Sequence, residues 1–168
     1  MTNADIEIKD PRLGSDWPMP GYETEGSAGM DLRACLQEPL TIQPGAVEMV
    51  PVGIKVAPPA GHASVILPRS GRGHKEGLVL GNLVGLIDPD YRGELGVSAW
   101  NRCAAVVPGY SEDGPAAFSN DEAAITIELG ERIAQLVFLP IARPNLNVVE
   151  RLDETARGRG GWGSSGNE

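Results

Sequence analysis

Gly85-Leu-Ile-Asp-Pro-Asp-Tyr-Arg-Gly-Glu-Leu-Gly-Val97 is the stretch that most narrows the fold and the chemistry of this chain. Two apolar runs flank a proline and two carboxylates, a pattern typical of the tip of a β-hairpin. Asp88 directly follows Leu86 and Ile87, so its carboxylate is predicted to stand at the end of a strand, where it can act as a general base on water. Tyr91 offers a flat face to a sugar or a base. The alternative interpretation is an Asx-type turn with a packed tyrosine.

The composition around this stretch favours an all-β fold. The chain has 168 residues, enough for one domain with a substantial core or for one subunit of a tight oligomer. It contains 22 glycines and 14 prolines but few helical patterns, so turns are frequent and strands are short. This combination predicts a β-sandwich.

The charge and the cysteine content limit the possible partners. The formal net charge of -9 argues against a nucleic-acid partner, because a surface that follows phosphates is basic. Any anionic ligand must therefore be held by a small local group of cations and backbone N–H groups. The two cysteines, Cys35 and Cys103, suggest a reducing compartment. Without a signal-peptide pattern or a long apolar run, the expectation is a soluble cytoplasmic protein with no membrane partner.

Alternating apolar and polar residues predict a series of short strands. The predicted strands lie within residues 6–8, 27–34, 40–56 (two strands around Pro44 and Gly45), 63–67, 78–82, 95–100, 124–129, 130–138 and 146–152. In the second of the two strands in 40–56, Val50, Val52, Ile54 and Val56 should share one face. Residues 101–121 carry the weakest pattern and are predicted to form an exposed acidic loop.

Two further segments carry candidate binding groups. A predicted strand runs into the glycine-rich stretch 68–75, where backbone N–H groups can surround an anion and Arg69 can grip phosphate oxygens with two hydrogen bonds. The alternative there is a basic surface loop. From Glu154 onward the chain is rich in Gly, Ser and Arg, and is predicted to be mobile. Arg157 and Trp162 in this tail are typical of groups that close over a ligand, although a plain disordered terminus is the alternative.

Taken together and in this order, five stretches resemble the motifs of the trimeric deoxyuridine triphosphatases (dUTP diphosphatases), bacterial members above all. They cover residues 27–34, 68–71 together with Asn82, 85–94, 130–135 and 157–166. The resemblance implies a jelly-roll-like β subunit over residues 1–153 and a mobile tail over 154–168 that closes the active site. It also implies a homotrimer with shared sites. The implied reaction converts dUTP and water to dUMP and diphosphate, with Mg²⁺ on the triphosphate, which supports dTTP synthesis and keeps uracil out of DNA.

The resemblance also implies a role for each site residue. Asp88 would orient and deprotonate the water that attacks the α-phosphorus, and Asp31 would hold water ligands of the metal. The remaining contacts would be Arg69, Ser70, Gly71 and Gln135 to phosphates; Asn82 and the backbone of Leu86, Ile87 and Gly96 to uracil; Tyr91 to the deoxyribose; and, from a neighbouring subunit, Arg157 to the γ-phosphate and Trp162 over the uracil ring.

Three departures from the family pattern accompany the resemblance. Trp162 stands where the family usually has Phe, and Gly96 has no side chain where relatives often carry a larger residue. Residues 101–130 are longer than expected by more than a dozen positions, which predicts an acidic insertion at about 102–123. Two alternative functions stay open: a dCTP deaminase of the same fold, whose catalytic Glu would align with Ser98, and a catalytically silent nucleotide-binding regulator.

Overall fold

The computed structural model describes residues 3–111 and 113–158, and they fold almost entirely into β-structure. Strand makes up 42% of the described residues and helix 6%, which confirms the all-β prediction. The strands are β1 (Asp5–Ile8), β2 (Met30–Arg33), β3 (Leu40–Ile42), β4 (Val47–Pro51), β5 (Ile54–Ala57), β6 (His62–Pro68), β7 (Leu78–Leu80), β8 (Gly85–Ile87), β9 (Gly96–Asn101), β10 (Val106–Ser111), β11 (Gly114–Ser119), β12 (Ile125–Ile127) and β13 (Arg132–Pro140). A short helix, α1, spans Ser70–Lys75, and a 3₁₀ turn spans Asp121–Ala123.

Five small sheets, all antiparallel, are built from these strands. The two larger ones have the orders β2-β13-β6-β8 and β4-β9-β7, and the two-stranded ones are β1-β5, β3-β12 and β10-β11. In the four-stranded sheet, β6 lies between β13 and β8. Its residues Ala63 to Ile66 are all buried, so β6 is covered on both faces, as a central strand of a packed sheet should be.

The core forms where the alternating apolar residues of these sheets meet. Val50, Val52, Ile54 and Val56 are each at most 2% exposed, so the shared buried face is confirmed. Burial of each such side chain contributes about 1.5–3 kcal/mol. The prediction of two strands in 40–56 is wrong, because β3, β4 and β5 occupy this segment and β3 pairs with β12. Gly53 separates β4 from β5 with a φ of +66°, a conformation that interrupts a strand.

Two other sequence predictions are wrong. Residues 101–121, predicted to be a loop, contain the hairpin β10-β11 with its six-residue register from Val106–Ser119 to Ser111–Gly114. Residues 146–152, predicted to be the last strand, form no strand, and Leu146 and Val148 are almost fully exposed. Within residues 3–111 and 113–158, no helix is long and apolar enough to cross a membrane.

Candidate active site

Asp88 lies in a connection between the two larger sheets. β8 ends one residue before it and pairs with β6, whereas β9 begins at Gly96 and pairs with β4 and β7. The predicted hairpin is therefore wrong, because each flanking strand finds its partner in a different sheet. The predicted turn is present: the N–H of Tyr91 donates to the carbonyl of Asp88 at 3.1 Å, with Pro89 at the position where its fixed φ suits a turn.

A cleft of about 480 Å³ opens beside this turn. Five of the predicted substrate-binding residues line it together: Leu86, Ile87, Asp88, Tyr91 and Gly96. Met49 and Pro51 of β4 and the segment 94–95 complete the lining. The cleft therefore lies between the end of β8 and the edge of the β4-β9-β7 sheet, with Asp88 among its lining residues.

Tyr91 is held in this cleft by two local features. Its hydroxyl donates to the carbonyl of Glu94 at 3.1 Å. Gly93 leaves room for the ring, because a Cβ at position 93 would overlap the Tyr91 hydroxyl and Cζ. The residue is 45% exposed, so part of Tyr91 remains accessible from the cleft.

A second group of predicted site residues lies on β2, on β13 and just after the end of β6. Asp31 of β2 lies opposite Gln135 of β13, which in turn lies opposite Leu67 of β6. Arg69 follows β6, and its Nε is 3.0 Å from Asp31 Oδ1. The carboxylate of Asp31 is mostly buried and is also paired through Oδ2, 3.0 Å from Nη1 of Arg132.

Arg132 is a member of this group that the sequence analysis missed. It stands three residues before Gln135, so strict alternation would place the two on opposite faces of β13. The register of β13 against β2 shifts between Arg132 and Ala134, and this irregularity brings the Arg132 side chain to Asp31. No signal in the sequence marks the position of such a bulge.

The stretch after Arg69 is helical, so the prediction of a glycine-rich turn is wrong. Ser70 and Gly71 form the first turn of α1, where N–H groups have no carbonyl partner one turn earlier. Arg72 fixes the helix by ion pairs with Glu76 at 3.2 Å and with Glu131. The three basic side chains of its last turn suit the negative end of the helix, which offsets the two glycines it contains.

The structure separates these two groups within one chain. Ile87 lies opposite Ser64 near the beginning of β6, and β8 runs toward that end, whereas Arg69 follows the last residue of β6. The chain advances five positions from Ser64 to Arg69. At about 3.3 Å per residue, the distance between their Cα atoms is roughly 17 Å. Asp88 and Arg69 of the same chain therefore lie too far apart to contact one phosphate group.

The remaining predicted residues lie away from the cleft. Asn82 is exposed in the turn after β7, beside Gly85, and does not line the cleft around Asp88. Arg157 lies in the exposed turn from Thr155 to Gly158. Trp162 lies outside the described residues.

The sequence model of the dUTPase family matches residues 15–107 and 116–166 of the chain. The chain belongs to the dUTPase family. Residues 108–115, which the family model does not match, lie in the β10-β11 hairpin. All strands of the two larger sheets lie within the matched residues.

Known dUTPases resemble the chain over almost its full length. It is 52% identical to the deoxyuridine 5'-triphosphate nucleotidohydrolase of Idiomarina loihiensis and 51% identical to that of Enterobacter sp. strain 638, each over 168 residues. The first alignment covers 99% of both chains, and the second covers 99% of this chain and 98% of its relative. A solved dUTPase of Staphylococcus bacteriophage 80alpha with dUPNHPP is 27% identical, has a TM-score of 0.79 and is matched over 99% of both chains. The predicted family resemblance is thus confirmed.

Proposed function

We propose that this dUTPase-family protein hydrolyses dUTP to dUMP and diphosphate. The observation that carries the proposal is the cleft in which Asp88, Tyr91 and the backbone of β8 come together. The names of the bacterial relatives, about half identical over the whole chain, agree with this reaction. In a cell, the reaction would supply dUMP for dTTP synthesis and would keep uracil out of DNA.

Asp88 is the general base in the proposed mechanism. Its carboxylate accepts a proton from a water molecule, and the water oxygen attacks the α-phosphorus. The bond between the α-phosphorus and the oxygen that bridges to the β-phosphate then breaks, and diphosphate leaves with that oxygen. A general base contributes about 10²–10⁴-fold, so electrostatic alignment of the phosphates must contribute much of the remaining acceleration.

The cleft binds the nucleoside in this proposal. Tyr91 lies against the deoxyribose and leaves no room for a 2′-hydroxyl. The peptide groups at Leu86, Ile87 and Gly96 read uracil by hydrogen bonds, together with Asn82. Backbone groups of fixed position suit this task, because a base that cannot match them leaves them unpaired and is rejected.

Arg69 is the principal phosphate-binding residue in the proposal, supported by Ser70, Gly71 and Gln135. Two contacts orient the Arg69 guanidinium: Nε lies 3.0 Å from Asp31 Oδ1, and Nη1 donates to the carbonyl of Arg132 at 3.4 Å. Arg132, on the other oxygen of Asp31, adds a second cation to the group. In an acidic protein this concentration of arginines is a suitable place for a triphosphate.

Mg²⁺ is the proposed metal. The side chains of the protein suit contact with water ligands of this ion rather than direct coordination. In the described part of the chain, no group of three or more His, Cys, Asp or Glu side chains is arranged to hold a metal. Both oxygens of Asp31 face arginines, so Asp31 would contact a water ligand of the metal rather than the metal itself. When bound to the triphosphate, Mg²⁺ would neutralise negative charge and fix the phosphate geometry.

The proposed active unit is a homotrimer with shared sites. The separation of Asp88 from Arg69 along β6 supports sharing, because Asp88 and Arg69 of one chain are too far apart to contact the same phosphate group. Leu83 and Leu86 next to the cleft are 70% and 65% exposed, an apolar surface that a second subunit could cover. A closed ring of three would use the same contact three times. Arg157 and Trp162 would come from a neighbouring subunit.

A cytoplasmic location is part of the proposal. Cys35 and Cys103 are both free thiols in the structure, which is typical of proteins in reducing compartments. The bacterial origin of the closely similar relatives agrees with this location.

A single assay tests the proposed activity. The protein is incubated with Mg²⁺ and dUTP, dCTP or dTTP, and the products are identified by chromatography and mass spectrometry. The expected result is dUMP and diphosphate from dUTP, with dCTP at least about 10⁴-fold poorer in kcat/KM. Release of ammonia from dCTP would identify a deaminase instead, and nucleotide binding without any product would identify a regulator.

A further inference from the structure

Met49 forms one wall of the cleft, and this residue lies outside all five family motifs of the sequence. It lies on β4, the edge strand of the β4-β9-β7 sheet, and lines the cleft together with Asp88 and Tyr91. Its side chain is 66% exposed, which is unusual for such an apolar group. Because Leu86 and Ile87 belong to the other large sheet, Met49 faces them from the opposite side of the cleft.

Gly96 determines where the Met49 thioether lies. A Cβ at position 96 would be 2.8 Å from Met49 Sδ and 3.5 Å from its Cγ, so the thioether occupies the space of the missing side chain. Pro51, not Met49, lies directly opposite Gly96 in the β4-β9 register, so Met49 reaches this space diagonally across the two strands. The contacting atoms are the end of a flexible side chain, which can move without disturbing the core.

We propose that Met49 determines substrate specificity in this cleft by forming a movable wall against the pyrimidine base. This inference rests on the proposed function. An unbranched thioether is apolar, polarizable and suited to contact with a flat ring. A substituent on the pyrimidine ring competes with the thioether for the same space, whereas uracil without a substituent fits beside it. Met49 therefore favours dUTP over 5-substituted deoxyuridine triphosphates such as dTTP.

Truncation of Met49 tests the proposal through a ratio of substrates. For Met49→Ala, the ratio of kcat/KM for dUTP to that for dTTP should fall by about 3- to 10-fold, because removal of the wall gives space to the 5-methyl group of dTTP and no comparable space is needed by dUTP. Met49→Leu, which conserves volume, should keep the wild-type ratio within about twofold. Val47→Ala is the matched control: Val47 lies two residues earlier on the same strand, is 50% exposed and does not line the cleft.

A second variant tests the geometric basis. Gly96→Ala should push the thioether toward the base and raise the KM for dUTP. In the Gly96→Ala, Met49→Ala double variant, the KM should return to that of Met49→Ala alone. The mass of the assembled oligomer is measured for each variant, so that a change in assembly is not mistaken for a change in the cleft.

The outcomes separate this inference from the proposed function. A wild-type protein that does not hydrolyse dUTP would overturn the proposed function and this inference with it. An active wild type whose dUTP-to-dTTP ratio is the same in Met49→Ala and Val47→Ala would overturn the role of Met49 alone. A fall in that ratio for Met49→Ala, absent in Val47→Ala and Met49→Leu, would support it.

Discussion

At the scale of single residues, the proposed chemistry depends on a carboxylate that follows directly on a strand. Asp88 comes one residue after β8, in a turn closed by the 3.1 Å hydrogen bond from the Tyr91 N–H. β8 fixes the position of the Asp88 backbone, and the turn at Pro89 fixes the direction in which the chain continues. A base needs this kind of placement, because a misdirected carboxylate does not reach its water.

Asp88→Asn should lower kcat by at least about 10²-fold while dUPNHPP binding stays close to that of the wild type. The amide has the size of the carboxylate but does not accept a proton at neutral pH. Steady-state kinetics and calorimetric titration measure the two quantities separately. Asp90→Asn, an exposed aspartate of the same loop outside the cleft, is the control and should remain active. Near-normal hydrolysis by Asp88→Asn would remove Asp88 from the mechanism.

A second residue-scale prediction concerns Cys35 and pH. Burial, followed by the nearby charge of Asp10, raises the pKa of the Cys35 thiol to about 12. A thiol whose pKa is higher in the folded than in the unfolded protein stabilises the fold below the unfolded value, near 9, and loses that contribution as the pH rises toward 12. At pH 8.5 the thiolate of Cys35 is therefore scarce in the folded protein.

Iodoacetamide at pH 8.5 should accordingly modify Cys35 at least about 10³-fold more slowly in the folded than in the unfolded protein. Mass spectrometry of peptides follows each cysteine, and Cys103, which is only partly buried, serves as the internal comparison. Equal rates for Cys35 in the folded and the urea-unfolded protein would show that the thiol is accessible.

At the scale of strands and turns, local pattern predicted much of the fold. Alternation located β1, β2, β7, β9, β12 and β13, because a strand with one buried face shows its period of two directly. The short apolar run of β6 also predicted a strand, although this strand is buried on both faces. Alternation does not say which strand pairs with which. The two strands around Asp88 were predicted to pair with each other because they are neighbours in sequence, but their partners are chosen by the packing of two whole sheets.

Because alternation does not determine strand pairing, the sequence also failed to predict the Arg132 contact and the irregular segment 146–152. The bulge in β13 that brings Arg132 to Asp31 depends on the partner strand, so alternation alone does not reveal it. The segment 146–152 has the composition of a strand but pairs with no strand in the described part of the chain, and it stays irregular. The residues of the site were predicted from family motifs, whereas Met49, outside those motifs, was not.

The β10-β11 hairpin should be dispensable for hydrolysis. Its strands pair only with each other, and the family pattern skips residues 108–115. Below it, the side chain of buried Asn101 donates to the carbonyls of Ile42 and Ala123, which holds the base of the segment independently of the hairpin. We expect replacement of 107–118 by two glycines to leave kcat/KM within about threefold, since Val106 and Ser119 are already paired neighbours.

Activity and thermal unfolding of this deletion variant provide the measurement. The replacement of Ser111, Glu112 and Asp113 by glycine, which keeps the hairpin length, is the matched control. A large loss of kcat/KM in the deletion but not in the control would show that the hairpin contributes to the site.

At the scale of the whole molecule, the four-stranded sheet both holds the two halves of the site and keeps them apart. β6 carries Arg69 at one end, and its other end lies beside the strand that leads to Asp88. β6 pairs with β13 along its whole length and its residues Ala63 to Ile66 are buried, so bending the strand to bring its ends together would break the core. In the proposed trimer, another copy of the chain closes this distance.

Subunit complementation between Asp88→Asn and Arg69→Ala tests this account most directly. Each variant alone should be inactive. After joint unfolding in equal amounts and refolding, a shared site is intact when Asp88 comes from an Arg69→Ala chain and Arg69 comes from an Asp88→Asn chain. Each condition holds with a probability of about one half, so activity should recover to about one quarter of the wild-type value. Activity that stays at the level of the separate variants, in a sample whose mixed oligomers are demonstrated by mass spectrometry, would contradict the shared site.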